Sequence, residues 1–343
     1  MSAAPDDSTL PWLAGPARDI ATRQHGHALL LQGNAGAGVF ELALRVARTW
    51  LCETAGADAP CGRCTACHLL ATNSHPDLLA LLPELTQVEL GWSVGGNDAP
   101  DAGDGEGKAK RKPSKEIRIE AVRDAIGWTQ KSSSRGRAKV LLLFPADSMN
   151  LVASNALLKT LEEPPVGVRL LLVAEDAERL LPTLRSRCQR LLFEGPTPEQ
   201  ALTWLEAQGA ASAPVLLAAA GGHPLAARRL AAEGFDAAAW LALPRQVADG
   251  RWTPPAGASV PRLREVLQKL CHDAMAVAAG APPRYFPATS LPPAAAWPKL
   301  ADWSQSLARL ARHDEHPFNA PLITDSLLAE AKAVWARPRG RAS

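Results

Sequence analysis

Four cysteines and one glycine-rich turn are the residues of this chain whose types and spacing could do chemistry. Cys52, Cys61, Cys64 and Cys67 fall within 16 residues in the pattern C-x8-C-x2-C-x2-C. Four thiolates can close a tetrahedral shell around Zn2+, and two-residue gaps let a turn aim successive sulfurs at one point. Pro60 and Gly62 supply turn chemistry between the ligands. Such a closed shell has no open coordination position, so the zinc expected here is structural and not catalytic. An iron–sulfur cluster is the rival for these ligands, but a ferredoxin-type run needs another cysteine three residues on, and position 71 is Ala. Unliganded or disulfide-paired thiols are the remaining alternative. His68 and His75 are read as surface residues, and His25 and His27 as strand-entry residues, rather than ligands.

The glycine-rich turn is Gly33-Asn34-Ala35-Gly36-Ala37-Gly38, between the apolar run Ala28–Gln32 and an amphipathic helix. That is the strand, turn and helix of a phosphate-binding P-loop, with both outer glycines correctly spaced. The motif next needs Lys, to reach the β- and γ-phosphates, and Ser or Thr, to hold Mg2+. This chain has Val39 and Phe40 at those positions. Neither side chain can donate to a phosphate or ligate a metal. A hydrolytic site also needs an acid at the end of the neighbouring strand. There the run Val140–Leu143 leads into Phe144-Pro145-Ala146-Asp147, which places a carboxylate three residues late. Asp147 is read as a turn aspartate. The expectation is an NTPase-like shape without ATP hydrolysis, although a glycine turn and helix N-terminus could still cradle phosphates.

The elements that must position these groups follow from periodicity. Residues 1–195 alternate short apolar runs with helical patterns, the signature of a parallel α/β sheet with crossover helices. Strands are expected at Ala28–Gln32, Asp77–Leu82, Val140–Phe144, Leu170–Val173 and Leu191–Phe193. Helices are expected at Val39–Cys52, Glu120–Gln130 and Leu151–Glu162, the last capped by Asn150 and stopped by Pro164-Pro165. Residues 93–116 carry an acidic and then a basic run with almost no large apolar group, and read as a mobile insertion. Residues 196–237 read as three short helices with a break at Gly221-Gly222. Residues 238–343 read as an all-helical domain punctuated by Pro254-Pro255, Pro282-Pro283 and Pro292-Pro293.

A chain of 343 residues implies two or three domains. Its 47% hydrophobic and 21% charged composition is that of a folded water-soluble protein, and a net charge of +2 gives no case for a strongly basic nucleic-acid binder. No apolar run suits a membrane span, and the N-terminal residues do not read as an export signal, so the expected setting is the cytoplasm, where thiols stay reduced.

Two further runs carry a family resemblance. Asn155-Ala156-Leu157-Leu158-Lys159-Thr160-Leu161-Glu162-Glu163-Pro164-Pro165, followed by Leu184-Arg185-Ser186-Arg187-Cys188, resembles the AAA+ modules of bacterial clamp loaders. The cysteine insert after the first helix fits the same family. The resemblance is strong over residues 25–195, partial over the three-helix unit and weak beyond it. It implies an AAA+ sheet with a zinc insert, a three-helix lid domain and a helical collar domain. It also implies membership of a five-membered ring with gamma or tau and delta subunits, which places a sliding clamp on primed DNA. In such rings gamma or tau hydrolyses ATP at subunit boundaries, and polymerase activity belongs to the larger assembly. Active members carry Lys where this chain has Val39 and Asp-Glu where it has Phe144-Pro145, and their lid arginine aligns with Pro224. Arg187 matches the arginine finger that acts in trans on a neighbour's nucleotide. Read from its residues alone, Arg187 is a surface arginine beside Cys188. A zinc module that binds nucleic acid directly is the competing reading, weakened because only Arg63 lies between the ligands and no aromatic stack flanks them.

Overall fold

The computed structural model describes residues 10–24, 26–54, 56, 59–92, 113–255, 257–311 and 319–336. Most of the insertion expected at 93–116, and His25, lie outside the described residues. The chain divides into two compact units, residues 1–197 and 198–343.

The first unit holds a parallel sheet of β1 (Ala28–Gln32), β2 (Leu78–Leu81), β3 (Lys139–Leu143), β4 (Val168–Ala174) and β5 (Gln189–Leu192), in the order β2-β3-β4-β1-β5. Its helices are α1 (Ala14–Arg23), α2 (Val39–Leu51), α3 (Thr65–Ala71), α4 (Glu84–Leu90), α5 (Ile119–Thr129), α6 (Leu151–Glu162) and α7 (Pro182–Arg185). The three middle strands read as near-continuous apolar runs, with Arg169 the one interior polar residue, because helices cover both faces of a parallel sheet. Ala28, Leu30, Leu141, Leu143, Leu170 and Leu172 point to one face, where they pack with Val122 and Ala125 of α5 and Ala153, Leu157 and Leu161 of α6. By the two-residue period of a strand, Leu29, Leu31, Val140, Leu142, Leu171 and Val173 point to the other, against which α2 lies. Each fully buried leucine contributes about 2 kcal/mol of transfer free energy to holding the layers together.

Asn150 caps α6 as expected, accepting the Ala153 N–H at 3.0 Å. The apolar run places β5 at Leu191–Phe193, two residues late. The strand begins at Gln189 and Arg190, which are exposed on the sheet edge and carry no apolar signal. Helices α1, α3, α4 and α7 carry no clear periodic signal, being short or only partly apolar.

The second unit is helical among its described residues: α8 (Pro198–Ala207), α9 (Ala213–Ala219), α10 (Pro224–Ala232), α11 (Ala237–Asp249), α12 (Val260–Ala278), α13 (Trp297–Ala311) and α14 (Ala320–Trp335). Gly221 and Gly222, at φ of +69° and +87°, end α9 in a conformation that only glycine adopts cheaply. The core is aromatic and leucine-rich, with Trp240 stacked on Phe286 at 4.5 Å. The fully buried Asp273 accepts N–H bonds from Arg284 (2.8 Å), Tyr285 (2.7 Å) and Phe286 (2.8 Å). Those bonds satisfy a proline-flanked segment that has no regular structure of its own. None of the described helices is long and apolar enough to cross a membrane.

Candidate functional site

The glycine turn sits at the carboxyl end of β1, with β4 and β5 on either side, where an open α/β sheet binds its ligand. The Gly33 N–H donates to the Ala174 carbonyl at 3.1 Å. A Cβ on Gly33 would stand 2.8 Å from the Phe193 carbonyl oxygen, so no larger residue fits there without a shift. Gly38 takes a φ of +100° as the turn enters α2. A phosphate-binding loop aims its successive N–H groups at the ligand. Here the donors of Ala35–Gly38 are spent within the protein. Ala35 donates to Glu175 Oε1 (2.7 Å) and Gly36 to the Asn34 side chain (2.8 Å). Ala37 and Gly38 turn back to the carbonyls of Asn34 (3.0 Å) and Ala35 (3.1 Å). From the other side, the Trp12 indole donates to the Ala37 carbonyl at 3.1 Å.

Val39 and Phe40, in place of the lysine and hydroxyl, are 0% and 2% exposed. The Phe40 ring stacks on Phe144 at 4.7 Å between centroids, and Trp92 meets it edge-on at 5.7 Å. The two positions that would supply Mg2+ ligands thus hold rings in contact, a pairing worth about 0.5–1.5 kcal/mol beyond area burial. Asp147 lies in the 3-10 turn Ala146–Ser148 and faces Arg179 at 3.6 Å.

Arg187 is not brought to this loop. It precedes β5, and Leu29 pairs with Gln189, so Arg187 lies near the amino end of β1 while the turn follows its carboxyl end. β1 itself spans about 13 Å of rise between those two ends. Arg187 follows α7, whose first residue is Pro182, and its backbone N–H closes onto the Leu184 carbonyl at 3.1 Å. The side chain is about one-third exposed. Its Nε donates to Glu162 Oε1 at 2.6 Å and its Nη2 pairs with the same oxygen. Nη1 donates to the Thr183 carbonyl at 2.9 Å and to Ser186 Oγ at 3.3 Å.

The four cysteines converge as their spacing requires. Helix α2 delivers Cys52 at its C-cap, a turn carries Cys61, and Cys64 is the N-cap of α3, which has Cys67 in its first turn. All four sulfurs lie within 4.8 Å of one another, with Cys52–Cys64 at 4.0 Å and Cys61–Cys67 at 3.9 Å. A tetrahedron with Zn–S bonds of about 2.3 Å has edges of about 3.8 Å, so the cluster matches a four-thiolate shell. N–H groups of Cys61 and Cys67 point at the Cys52 and Cys64 sulfurs, both at 3.4 Å. The Thr54 hydroxyl donates to Cys61, and with the Arg63 N–H it brings that thiol down to about 5, whereas burial pushes Cys67 up to about 12. The cluster can hold a metal ion.

Its surroundings were invisible in the spacing. Asp77, fully buried, accepts from Ser133 Oγ (3.1 Å) and the N–H groups of Ser134 (2.9 Å) and Arg135 (3.2 Å), with Lys139 Nζ at 3.5 Å. Burial raises the Asp77 pKa, but these donors outweigh it and hold the carboxyl below its ordinary value. The turn so fixed sends Arg135 to Glu53 and Arg137 to the Cys52 carbonyl at 2.6 Å, bracing the first ligand. His75 corrects the surface reading: it is buried, and its Nδ1 accepts the Asp77 N–H at 3.1 Å. His27 bonds the Leu161 carbonyl at 2.8 Å, and His68 is exposed.

A parallel sheet with a glycine turn after β1, a long helix behind it and a four-cysteine excursion at that helix's far end defines a P-loop-type α/β unit with an insert whose cysteines can hold a metal ion. Residues 16–197 match the family described as DNA polymerase III, delta subunit, and the chain belongs to that family. It is 38% identical to the DNA polymerase III subunit delta' of Pseudomonas aeruginosa, over 65% of this chain and 62% of that one. It is 36% identical to the Escherichia coli subunit delta', over 61% and 56%. It is 30% identical to the Escherichia coli subunit tau, over 52% of this chain and 23% of tau. The matched region therefore spans less than two thirds of each of these relatives.

Proposed function

We propose that this chain is the non-catalytic delta'-type subunit of a DNA polymerase III clamp loader. It joins gamma or tau and delta subunits in a five-membered ring that loads a sliding clamp onto primed DNA, and it hydrolyses no ATP itself. The observation that carries this reading is the Phe40–Phe144 stack. It fills, with buried apolar rings, the two positions from which a P-loop enzyme coordinates Mg2+. Mg2+ demands oxygen ligands in near-octahedral order, and neither ring offers one. The internally paired N–H groups of Ala35–Gly38 point the same way. Family membership over residues 16–197 supports the setting.

Within that reading, Arg187 is the arginine finger supplied in trans to an adjacent ATPase subunit. Its distance from its own glycine turn and its partial exposure support action outside the chain. Cys52, Cys61, Cys64 and Cys67 hold one structural Zn2+, which pins an excursion with too few apolar residues to fold unaided. Residues 196–237 serve as the lid and 238–343 as the collar through which subunits associate.

The test is nucleotide turnover by the isolated chain, which is expected to stay at background. Val39→Lys is expected to restore nothing, because Phe40, Phe144 and Pro145 still leave Mg2+ without ligands. It is also expected to lower stability, since a lysine would enter a position that is 0% exposed. Turnover by the wild-type chain, abolished by a change within Gly33–Gly38, would make the protein an ATPase with a degenerate loop instead.

A further inference from the structure

A guanidinium grips a phosphate or carboxylate through two parallel N–H groups. In Arg187 the Nε–Nη2 edge is already taken by Glu162, and Nη1 by the Thr183 carbonyl and Ser186 Oγ. A merely snorkelling arginine would leave its head group in water. This one holds a single carboxylate oxygen, Glu162 Oε1, with two of its nitrogens, although a third of its side-chain surface stays accessible. Glu162 is the last residue of α6, so its backbone is fixed, while its side chain is about half exposed. An exchange of partners at this edge would therefore displace no buried group. The other arginine of the turn, Arg185, pairs with Glu178 and does not compete for Glu162.

We propose that Glu162 is a positioning residue that stands in for the γ-phosphate of the neighbouring subunit's nucleotide. It occupies the gripping edge of Arg187 in the free chain and yields it when nucleotide arrives at the subunit boundary. This inference rests on the trans-acting role of Arg187. A γ-phosphate brings more charge and three acceptor oxygens, so it displaces a single carboxylate once seated. Until then Glu162 keeps the guanidinium extended from its turn and raises the nucleotide concentration needed to engage it.

The experiment uses the full chain assembled with clamp-loader ATPase subunits, sliding clamp and primed DNA. Glu162→Gln and Glu162→Ala are expected to lower the apparent KM for ATP by about fivefold, the upper end for an exposed ion pair, with the effect on KM and not on kcat. Damage to the fold would move it the other way. In an Arg187→Ala background the same changes are expected to do nothing, since the two residues act as one unit. In the free chain, NMR of the Arg187 Nε–H is expected to show slow solvent exchange that becomes fast in Glu162→Gln. An unchanged or raised KM in Glu162→Gln, or equal exchange in both proteins, would overturn the role of Glu162 while leaving the finger intact. An Arg187→Ala assembly with wild-type turnover would overturn the finger itself, and the role of Glu162 with it.

Discussion

Arg187→Ala is expected to fold, to join the ring, and to lower ATP hydrolysis at one neighbouring site by about 10³–10⁵, the range over which supplied arginine fingers act. The size follows from what the side chain does. In the role proposed for it, the side chain places a preorganised, bidentate positive charge where charge develops on phosphoryl transfer. Folding is expected to survive because the guanidinium is partly exposed and its partners are surface groups. The other sites are expected to keep turning over while clamp loading fails. Arg187→Lys is expected to rescue little, because an ammonium keeps the charge and loses the fork. Measurement of ATPase with clamp and primed DNA present checks this, and wild-type rates in both variants would return Arg187 to the status of a surface residue.

The second large effect is expected on removing the metal. Purified protein should carry about one zinc per chain, and binding to such a four-thiolate site is worth about 10–16 kcal/mol of apparent free energy at neutral pH. Cys64→Ser is the informative variant. Cys64 caps α3 by accepting the Cys67 N–H, and serine caps a helix well, so the loss reports the metal rather than the cap. Hydrogen exchange is expected to show residues 52–67 losing protection while β1, β3 and β4 keep theirs, because the ligands lie outside the sheet core. Acid is expected to release the metal, since protons compete for the thiolates. Metal analysis that finds no zinc, or a coloured iron protein, would contradict the assignment.

Much of this was legible from local pattern. The strand, glycine turn and helix at 28–51 show in apolar periodicity and two glycines, and the cysteine spacing alone called for convergence at one point. The missing lysine, hydroxyl and acid could be read position by position. What replaced them could not, because the contact between Phe40 and Phe144 joins residues far apart in sequence through β1 and β3. The same holds for Arg187 on Glu162 and Ala35 on Glu175, whose partners are set by sheet order and carry no spacing signal. The start of edge strand β5 leaves no apolar signal, because its first residues, Gln189 and Arg190, are polar and exposed. Nothing local marks His75 as buried, because its burial depends on a neighbour, Asp77, whose own partners lie more than fifty residues on.

Reconstitution bears most directly on whether this chain is a non-catalytic ring subunit. The purified chain is mixed with clamp-loader gamma or tau and delta subunits, the complex is isolated by size, and its bound ATP is counted against its subunits. The expected result is a defined complex containing this chain, with as many nucleotides as there are gamma or tau subunits and none on this chain. A chain that stays apart from those subunits, or a complex in which it carries and turns over its own ATP, would contradict the account.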